Sequence, residues 1–302
     1  MTHTLKTVWR AMRPPFLLLT VSVVTLGAAL AVFETGVFHG LHFFLSLLGG
    51  LGLHASVNLF NEYEDFRSGL DSLTERTPFS GGSGALQADP DAAEAVQAAG
   101  WFLLGLAFVI GLWFWWTVGG GVVWIGLAGV VLVLGYTGRI TRHPWLCLIA
   151  PGLAFGPLMV LGTYYVMTGQ FSARALVVSL VPFFLVNNLL LLNQIPDIEA
   201  DRQVGRRTFP MVMGVPLTLQ VFNLFLLCAY GVLVMLVAAA WLPPVALLGL
   251  VTAIFALPML LNLMRFRAGR RQALLPALGL NVAINLLTPL LVAAALFWLT
   301  RA

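Results

Sequence analysis

Two short acidic stretches interrupt a chain of 302 residues in which 60% of the residues are hydrophobic. The first covers residues 58–71, and the second covers residues 193–201. Each one ends a long apolar run, where carboxylates at a membrane boundary are costly unless a partner compensates their charge. Arginines follow both stretches, so the pattern predicts a site that holds metal ions and a polyanion at the edge of a bilayer.

The spacing within the two stretches suits oxygen ligands on helical faces. Residues four apart share a face of a helix, which aligns Asn61 with Asp65 and predicts the same for Asn193, Asp197 and Asp201. Carboxylate and amide oxygens suit Mg²⁺, whereas zinc would require His or Cys. The alternative for either stretch alone is a solvated, capped helix end, but two matched stretches favour a site. The arginines that are placed to bind phosphate oxygens are Arg76, Arg206 and Arg207.

The elements that must position these residues are membrane helices. Only 9% of the residues are charged and the mean hydropathy is +0.94, which excludes an ordinary soluble domain, where about 25% charge is usual. Apolar runs of about 20 residues predict spanning helices, and a β-barrel is excluded because short alternating segments are missing. We expect an all-α, polytopic membrane protein with nine spans, at residues 14–34, 41–64, 97–117, 119–137, 144–167, 173–195, 214–239, 243–264 and 275–299.

The charges of the chain lie almost entirely on one side of these spans. Fourteen of the sixteen Lys and Arg residues fall on that side, and Arg174 is one of the two exceptions. The positive-inside rule then places the N-terminus and both acidic stretches at the cytoplasmic face of the plasma membrane, with the C-terminus opposite. Of the twelve acidic residues, only Glu34 lies on the other side. Because transporters and channels more often carry ionisable groups at mid-membrane, the pattern favours a chemical face above an apolar body.

The positions of the two stretches also suggest an internal arrangement. Each stretch follows an even-numbered span, and the two lie four spans apart. This predicts two four-helix halves of like orientation plus a ninth helix, within a single membrane domain that covers residues 1–302.

A glycine-rich segment, residues 77–84, follows the first acidic stretch. Glycines at this density permit unusual backbone angles and a close approach to a ligand. The alternative is a flexible linker, and the composition alone does not decide between the two.

The two stretches resemble the motifs of the UbiA superfamily of intramembrane prenyltransferases. The matching segments are residues 61–71 and 193–201, with residues 204–208 after the second. The resemblance implies Mg²⁺-dependent transfer of an isoprenoid chain from an allylic diphosphate to an acceptor, in a lateral cavity open to lipid. It implies catalytic roles for the four aspartates and ligation of Mg²⁺ by six residues, which are Asn61, Asp65, Asp71, Asn193, Asp197 and Asp201.

The first motif looks more like the dihydroxynaphthoate branch of the superfamily than the hydroxybenzoate branch. Asp65 and Asp71 are six residues apart with Gly69 between them, while the hydroxybenzoate branch usually spaces its last two aspartates four apart. The resemblance therefore implies 1,4-dihydroxy-2-naphthoate as the aromatic acceptor, in menaquinone biosynthesis. Two departures are Glu62, where Asp is commoner, and residues 76–84, which differ from the Gly-Pro-containing segment of typical naphthoate enzymes.

Further site candidates come from the same resemblance and from the position of residues in the sequence. Tyr136 and Arg139 match a tyrosine and a basic residue that contact diphosphate in relatives, although Tyr136 alone is typical of an interface anchor. Arg13 is a candidate for the acceptor's carboxylate or a membrane-flank charge. His54 and Asn58 share roughly the face of the first motif and are pocket candidates, although a lone His is more often simply packed.

Two other functions stay open at this point. A terpene cyclase of the same superfamily would use the same site on a prenyl diphosphate without an aromatic acceptor. A non-enzymatic lipid transporter is disfavoured by the one-sided polar face. The expected partners are a polyprenyl diphosphate, a small aromatic acceptor and the lipid bilayer, and no nucleic acid; the motifs do not predict the isoprenoid length or the oligomeric state.

Overall fold

The computed structural model describes residues 3–74 and 76–300. Every regular element within these residues is helical, which confirms the predicted all-α fold. Short 3₁₀ segments join some helices, and a π-helical segment, Ala154–Leu161, lies between two of them. The α-helices are α1 (His3–Ala11), α2 (Pro14–Thr35), α3 (Gly40–Arg67), α4 (Leu70–Leu73), α5 (Ala85–Ala88), α6 (Ala93–Thr117), α7 (Gly121–Gly135), α8 (Pro144–Leu153), α9 (Gly162–Thr168), α10 (Ala173–Asn193), α11 (Ile198–Gln203), α12 (Phe209–Ala238), α13 (Ala253–Arg267) and α14 (Leu274–Leu299).

Eight helical segments of the described residues are long and apolar enough to cross a membrane. The predicted fourth span is α7, whose 15 residues reach only about 22 Å at 1.5 Å per residue. A typical hydrocarbon core is about 30 Å thick, so α7 is a short helix, and the structure is compatible with the predicted nine. The eight segments are Pro14–Thr35, Gly40–Arg67, Pro90–Thr117, Pro144–Thr168, Ala173–Asn193, Phe209–Ala238, Pro244–Arg267 and Arg271–Leu299.

The spans form a closed ring in which neighbours in sequence are neighbours in space. Each span packs on the next, and the last helix, α14, packs on α13 and returns to α2. The Ser22 hydroxyl in α2 donates to the Leu286 carbonyl in α14 at 2.7 Å, which fixes this contact within the membrane. The ninth span therefore closes the ring, and the ring encloses the cavity described below.

Close contacts between backbones hold the fifth span against α10. A Cβ atom added at Gly152 would lie 2.3 Å from the Phe183 carbonyl oxygen, and one at Gly156 would lie 2.6 Å from the Ser179 carbonyl oxygen. Small residues permit such an approach of two helices. Asn187 Oδ1 accepts a hydrogen bond from the Gly152 N–H at 2.6 Å, which satisfies a backbone group inside the membrane. These contacts fix the helix whose C-terminal end carries the second acidic motif.

The two charges that the sequence placed on the opposite face pair with each other. Arg174 Nη1 lies 3.1 Å from Glu34 Oε1, and the Tyr164 hydroxyl donates to the other carboxylate oxygen. The pair compensates both charges in place. The polar chemistry of the protein therefore stays on the face that carries the two acidic motifs.

The second acidic stretch does not form one continuous helix. α10 ends at Asn193, and the separate short helix α11 begins at Ile198. Pro196 lies between them, and a proline lacks a backbone N–H and disfavours a helical conformation in the residue before it. The prediction that Asn193, Asp197 and Asp201 align on one helical face is therefore wrong, because the chain turns between the first residue and the other two.

Candidate active site

The first acidic motif is built on the end of α3. Asn61 and Asp65 lie one turn apart, as predicted, and Asn61 Nδ2 donates to Asp65 Oδ2 at 3.0 Å. The chain then turns at Gly69, which has a φ of 77°, into the short helix α4, which carries Asp71. Asp65 and Asp71 are each only 5% exposed. Burial raises the pKa of Asp71 above its usual range, because a charged carboxylate is poorly solvated there.

The second acidic motif brings Asp197 and Asp201 to the same place from the opposite side of the ring. Asp197 is the residue before α11, and Asp201 lies inside that helix and is buried. Burial, and then the negative charge of Asp201, raise the pKa of Asp197 to about 7. Both carboxylates are therefore held where a positive partner would be strongly favoured.

Arg206 joins the two motifs. Its guanidinium donates to Asp65 Oδ1 and, through Nη1 at 3.0 Å, to Asp201 Oδ1. The arginine side chain is only 15% exposed. Burial alone would lower the pKa of Arg206, but the two carboxylates raise it above its usual value. The two acidic motifs, which are far apart in sequence, thus meet at one largely buried cation.

The two motifs face a shared cavity of about 410 Å³, within the roughly 300–1,000 Å³ typical of small-molecule sites. Its other end is apolar, with walls from Leu19, Leu53, Phe155, Leu189 and Leu286. The arrangement offers charge at one end and hydrocarbon at the other. Eleven of the predicted site residues line this cavity, and they are Arg13, His54, Asn58, Asn61, Asp65, Asp71, Tyr136, Asn193, Asp197, Asp201 and Arg206.

Three predicted phosphate-binding residues do not line the cavity. Arg76, Arg139 and Arg207 are exposed. The guanidinium of Arg76 lies against Gly84, and the backbone N–H of Arg207 donates to the Thr141 carbonyl at 2.8 Å. Their roles in diphosphate binding stay predictions, and the arginines that face the cavity are Arg13 and Arg206.

Glu62 belongs to a buried network that the sequence did not reveal. Its carboxylate is 0% exposed and lies 2.9 Å from Arg13 Nη2. It also accepts from the Ser83 backbone N–H at 3.1 Å and from the Ser83 hydroxyl. Arg13 in turn donates to Asn61 Oδ1 at 3.3 Å. Glu62 thus fixes Arg13 and the glycine-rich segment to α3, and it does not line the cavity. In the sequence, the only sign that Glu62 is unusual was that Glu stands where Asp is commoner.

The glycine-rich segment packs directly on the first motif. Gly82 has a φ of 75°, and a Cβ atom there would lie 2.6 Å from Asp71 Oδ1. Gly84 has a φ of 68°, and a Cβ atom there would lie 2.3 Å from the Arg76 guanidinium. Both positions favour glycine for two reasons: the backbone is left-handed, and neighbouring side chains already fill the space that a Cβ atom would need. The segment is therefore a fitted part of the site, and the linker alternative does not hold.

Residues 21–286 match the UbiA prenyltransferase family, which is most of the chain. The chain belongs to the UbiA prenyltransferase family. The predicted recognition, the prenyltransferase class and the multi-pass helical fold are thereby confirmed.

Relatives of this UbiA family member include two proteins named for naphthalene acceptors. It is 29% identical to the 1,4-dihydroxy-2-naphthoate octaprenyltransferase of Bacillus subtilis, over 78% of this chain and 76% of that one. It is also 29% identical to the 2-carboxy-1,4-naphthoquinone phytyltransferase of Synechocystis, over 74% of this chain and 73% of that one.

Two solved UbiA homologues share the fold. The apo homologue from Aeropyrum pernix K1 has a TM-score of 0.66 at 19% identity, and the match covers 94% of this chain and 97% of the homologue. The homologue from Archaeoglobus fulgidus bound to GPP and Mg²⁺ has a TM-score of 0.66 at 14% identity, and the match covers 95% of this chain and 99% of the homologue.

The donor atoms of this UbiA site fit Mg²⁺. Asp71 Oδ2, Asn193 Oδ1 and Asp197 Oδ1 are buried and find no hydrogen-bond partner among the described residues. They are hard oxygens, and all three residues line the cavity. Hard oxygens of this kind suit Mg²⁺, which is usually held by one or two carboxylates together with substrate phosphates.

His54 and Asn58 lie deeper on α3 than the carboxylates. Asn58 Nδ2 donates to the Met12 carbonyl at 2.9 Å, and His54 Nδ1 forms a hydrogen bond with the Thr20 hydroxyl at 2.9 Å. The polar lining of the UbiA cavity therefore extends along α3 into its apolar part. The cavity is also lined by Gln194 and Asn285, which the sequence analysis missed. Gln194 directly follows Asn193, so its place in the second motif could have predicted that it lines the cavity.

Proposed function

We propose that the protein transfers an isoprenoid chain from a polyprenyl diphosphate to 1,4-dihydroxy-2-naphthoate, with Mg²⁺, as a step of menaquinone biosynthesis. The observation that carries the proposal is the bridge of Arg206 between Asp65 and Asp201 at the polar end of a cavity with apolar walls. A prenyl diphosphate has the same division into a charged and an apolar end. The choice of acceptor is supported by the names of the two relatives and by the spacing of Asp65 and Asp71.

Six residues are proposed to hold Mg²⁺ with the diphosphate. Asn61, Asp65 and Asp71 would act from one side, and Asn193 with Asp197 and Asp201 from the other. The four aspartates are the proposed catalytic residues. When bound, Mg²⁺ supplies Lewis-acid neutralisation of the charge that develops on the leaving diphosphate.

The residues of the chain bind the diphosphate and shield the reaction from water. Arg206 is already within reach of both motifs, and its planar guanidinium suits two phosphate oxygens at once. Tyr136 lines the same end of the cavity. The allylic C–O bond breaks and its electron pair leaves with the diphosphate. The apolar walls exclude water from the allylic cation, which water would otherwise quench.

The acceptor is proposed to lie between the diphosphate and the deeper part of the cavity. Arg13 would bind its carboxylate, with His54 and Asn58 beside the rings, since all three residues line the cavity. The electron-rich ring attacks the cation and a carbon–carbon bond forms. Loss of CO₂ or of a proton from the attacked carbon then restores the aromatic ring.

The orientation in the membrane is proposed from the distribution of charge. We place the N-terminus and the active site at the cytoplasmic face of the plasma membrane and the C-terminus on the opposite side, because fourteen of the sixteen Lys and Arg residues lie on the side of the site. The chain, residues 1–302, is proposed as one membrane domain because the cavity takes residues from both ends of the ring.

The test uses purified protein in detergent with Mg²⁺ and farnesyl or geranylgeranyl diphosphate, with and without the naphthoate. We expect diphosphate release that requires the naphthoate, and a prenylated, decarboxylated product by mass spectrometry. Asp65→Ala and Asp197→Ala should abolish turnover, while Glu64→Gln, an exposed acid beside Asp65, should not. Release without acceptor and an isomeric hydrocarbon or alcohol would indicate a cyclase instead.

A further inference from the structure

A second pocket, a groove beneath the N-terminal helix, lies beside the cavity. This groove has a volume of about 530 Å³ and lies between the end of α1 and the glycine-rich segment. Arg13, Pro15, Phe16, Pro78 and Gly82 line both the groove and the cavity. The two spaces therefore share a wall, and the groove lies directly outside the cavity.

The groove carries two guanidinium groups in series. Arg10 is exposed and lines the groove but not the cavity, and it forms no ion pair with a carboxylate of the described residues. The only hydrogen bond of its guanidinium to the described residues is a long one, 3.5 Å, to the Ser83 carbonyl. Arg13 lines both the groove and the cavity; its Nη2 is paired with Glu62, and its buried Nε finds no partner among the described residues. Both guanidinium groups thus retain N–H donors for an anion.

Trp9 gives the groove an aromatic wall. Its side chain lines the groove and is 55% exposed, as is Leu5, four residues earlier on the same helix. Exposed apolar residues on a basic helix are typical of a helix at the headgroup level of a membrane. Val8 and Ala11 on the other face of α1 are buried against Leu59. The helix is thus anchored, and it presents a π-surface beside two arginines.

The wall of the cavity that α7 forms would be a poor route for an anion. The short helix α7 contributes Gly126, Gly129 and Leu132 to the cavity, and every residue of α7 is at least partly exposed on the surface of the protein. That side suits the hydrocarbon chain of a prenyl substrate. A carboxylate that crossed it would lose its hydration without gaining a partner.

We infer that the groove is the binding and entrance site for an aromatic carboxylate, which Arg10 captures, Trp9 stacks against and Arg13 receives at the cavity. The inference rests on the proposed function, in which the acceptor is an aryl carboxylate. It adds that the two substrates enter by different openings, the acceptor beneath α1 and the prenyl chain beside α7.

The test compares Arg10→Gln with Lys6→Gln in nanodiscs of phosphatidylcholine. Lys6 is an exposed cation on the same helix that does not line the groove. Binding of 1-hydroxy-2-naphthoate, followed by titration calorimetry, should weaken about fivefold in Arg10→Gln, as expected for one partly exposed charge contact. It should be unchanged in Lys6→Gln. Binding of 1-naphthol, which has no carboxylate, should be the same in both variants.

Turnover gives the second readout. Arg10→Gln should raise the KM for 1,4-dihydroxy-2-naphthoate about fivefold and leave the KM for the prenyl diphosphate at the value of Lys6→Gln. Trp9→Ala should raise the KM for the acceptor more than Trp9→Phe. If both cation variants behave alike in binding and in KM, the groove is not the acceptor site. An effect of Arg10 that appears only with phosphatidylglycerol in the nanodisc would instead assign the groove to lipid and overturn the inference.

The two proposals fail in different ways. If the naphthoate is not prenylated but the probe still binds through Arg10, the groove stands and the proposed acceptor is wrong. If the naphthoate is prenylated and Arg10→Gln matches Lys6→Gln in both measurements, the groove alone is wrong.

Discussion

Arg206 is the residue whose replacement tests the site most directly, because its guanidinium contacts both acidic motifs. Arg206→Gln removes the charge and the contacts to Asp65 and, at 3.0 Å, to Asp201. A hydrogen bond to a charged group contributes about 1.5–3 kcal/mol, and the side chain is only 15% exposed. If the guanidinium donates two such bonds to the diphosphate in the transition state, the loss is about 3–6 kcal/mol. We therefore expect kcat/KM to fall roughly 10²- to 10⁴-fold.

The assay is diphosphate release with Mg²⁺, prenyl diphosphate and the naphthoate, and the matched control is Arg202→Gln. Arg202 directly follows Asp201 in α11, but its side chain is 60% exposed and it pairs with Glu199, which is 80% exposed. Exposed pairs contribute little, so this variant should stay within about threefold of the unchanged protein. An Arg206→Gln protein as active as Arg202→Gln would refute the phosphate-binding role.

Thermal unfolding separates this role from folding. Without the guanidinium, Asp65 and Asp201 share a buried site with no positive partner, and breaking a buried pair costs about 3–5 kcal/mol. Adding Asp65→Asn removes one of the two negative charges, so the double variant should regain most of the lost melting temperature but none of the activity. A double variant that melts as early as the single one would contradict the charge-compensation argument.

Three further predictions concern the loop, a proton and the buried glutamate. Gly82→Ala would place a Cβ atom 2.6 Å from Asp71 Oδ1 and should lower kcat/KM about tenfold or more. The control is Gly36→Ala, which has a similar φ of 72° and no atom within 4 Å of the added Cβ, and which should leave kcat/KM unchanged. Equal kcat/KM in the two variants would contradict the close fit of the glycine-rich segment to the site. The pKa of Asp197 is raised to about 7, chiefly by burial, so the carboxyl is mostly protonated below that pH. Because Mg²⁺ binds the deprotonated carboxylate, the Mg²⁺ affinity measured by calorimetry should rise about tenfold per pH unit from pH 5 to 7 and then level off. An affinity that does not change with pH would contradict the role of Asp197 as a ligand. Glu62→Gln leaves its arginine partner without an anion and should lower the free energy of unfolding by about 3 kcal/mol in chemical denaturation, and unchanged stability would exclude the buried network.

Sequence reasoning predicted the relative placement of Asn61 and Asp65 correctly, because the local chain decides the structure there. No proline or glycine separates Asn61 from Asp65, so α3 continues through both, and they form the hydrogen bond that the four-residue spacing predicts. The same spacing failed in the second motif because Pro196 ends the regular helix. That proline is visible in the sequence, so its effect on the backbone was predictable.

The rest of the site depends on contacts between segments that are distant in sequence. Arg206 and Arg207 are neighbours of the same type, yet only Arg206 turns to the carboxylates. Glu62 finds its partners in Arg13 and Ser83, which lie on either side of it in the chain. Neither the orientation of Arg206 nor the partners of Glu62 follow from propensity or spacing, because both are determined when the helices pack against each other.

The return of the last helix to the first has a consequence for how the protein is made. Asn285 and Leu286 of α14 form part of the cavity wall, so no nascent chain that is still missing its last span contains a complete cavity. Arg206 leaves the ribosome 141 residues after Asp65, and through that interval the carboxylate has no buried cation to compensate it. Asp65 lies in the last turn of α3, so its carboxylate can stay in the water at the membrane surface until the completed fold buries it. The early helices can therefore insert into the bilayer before Arg206 has been translated.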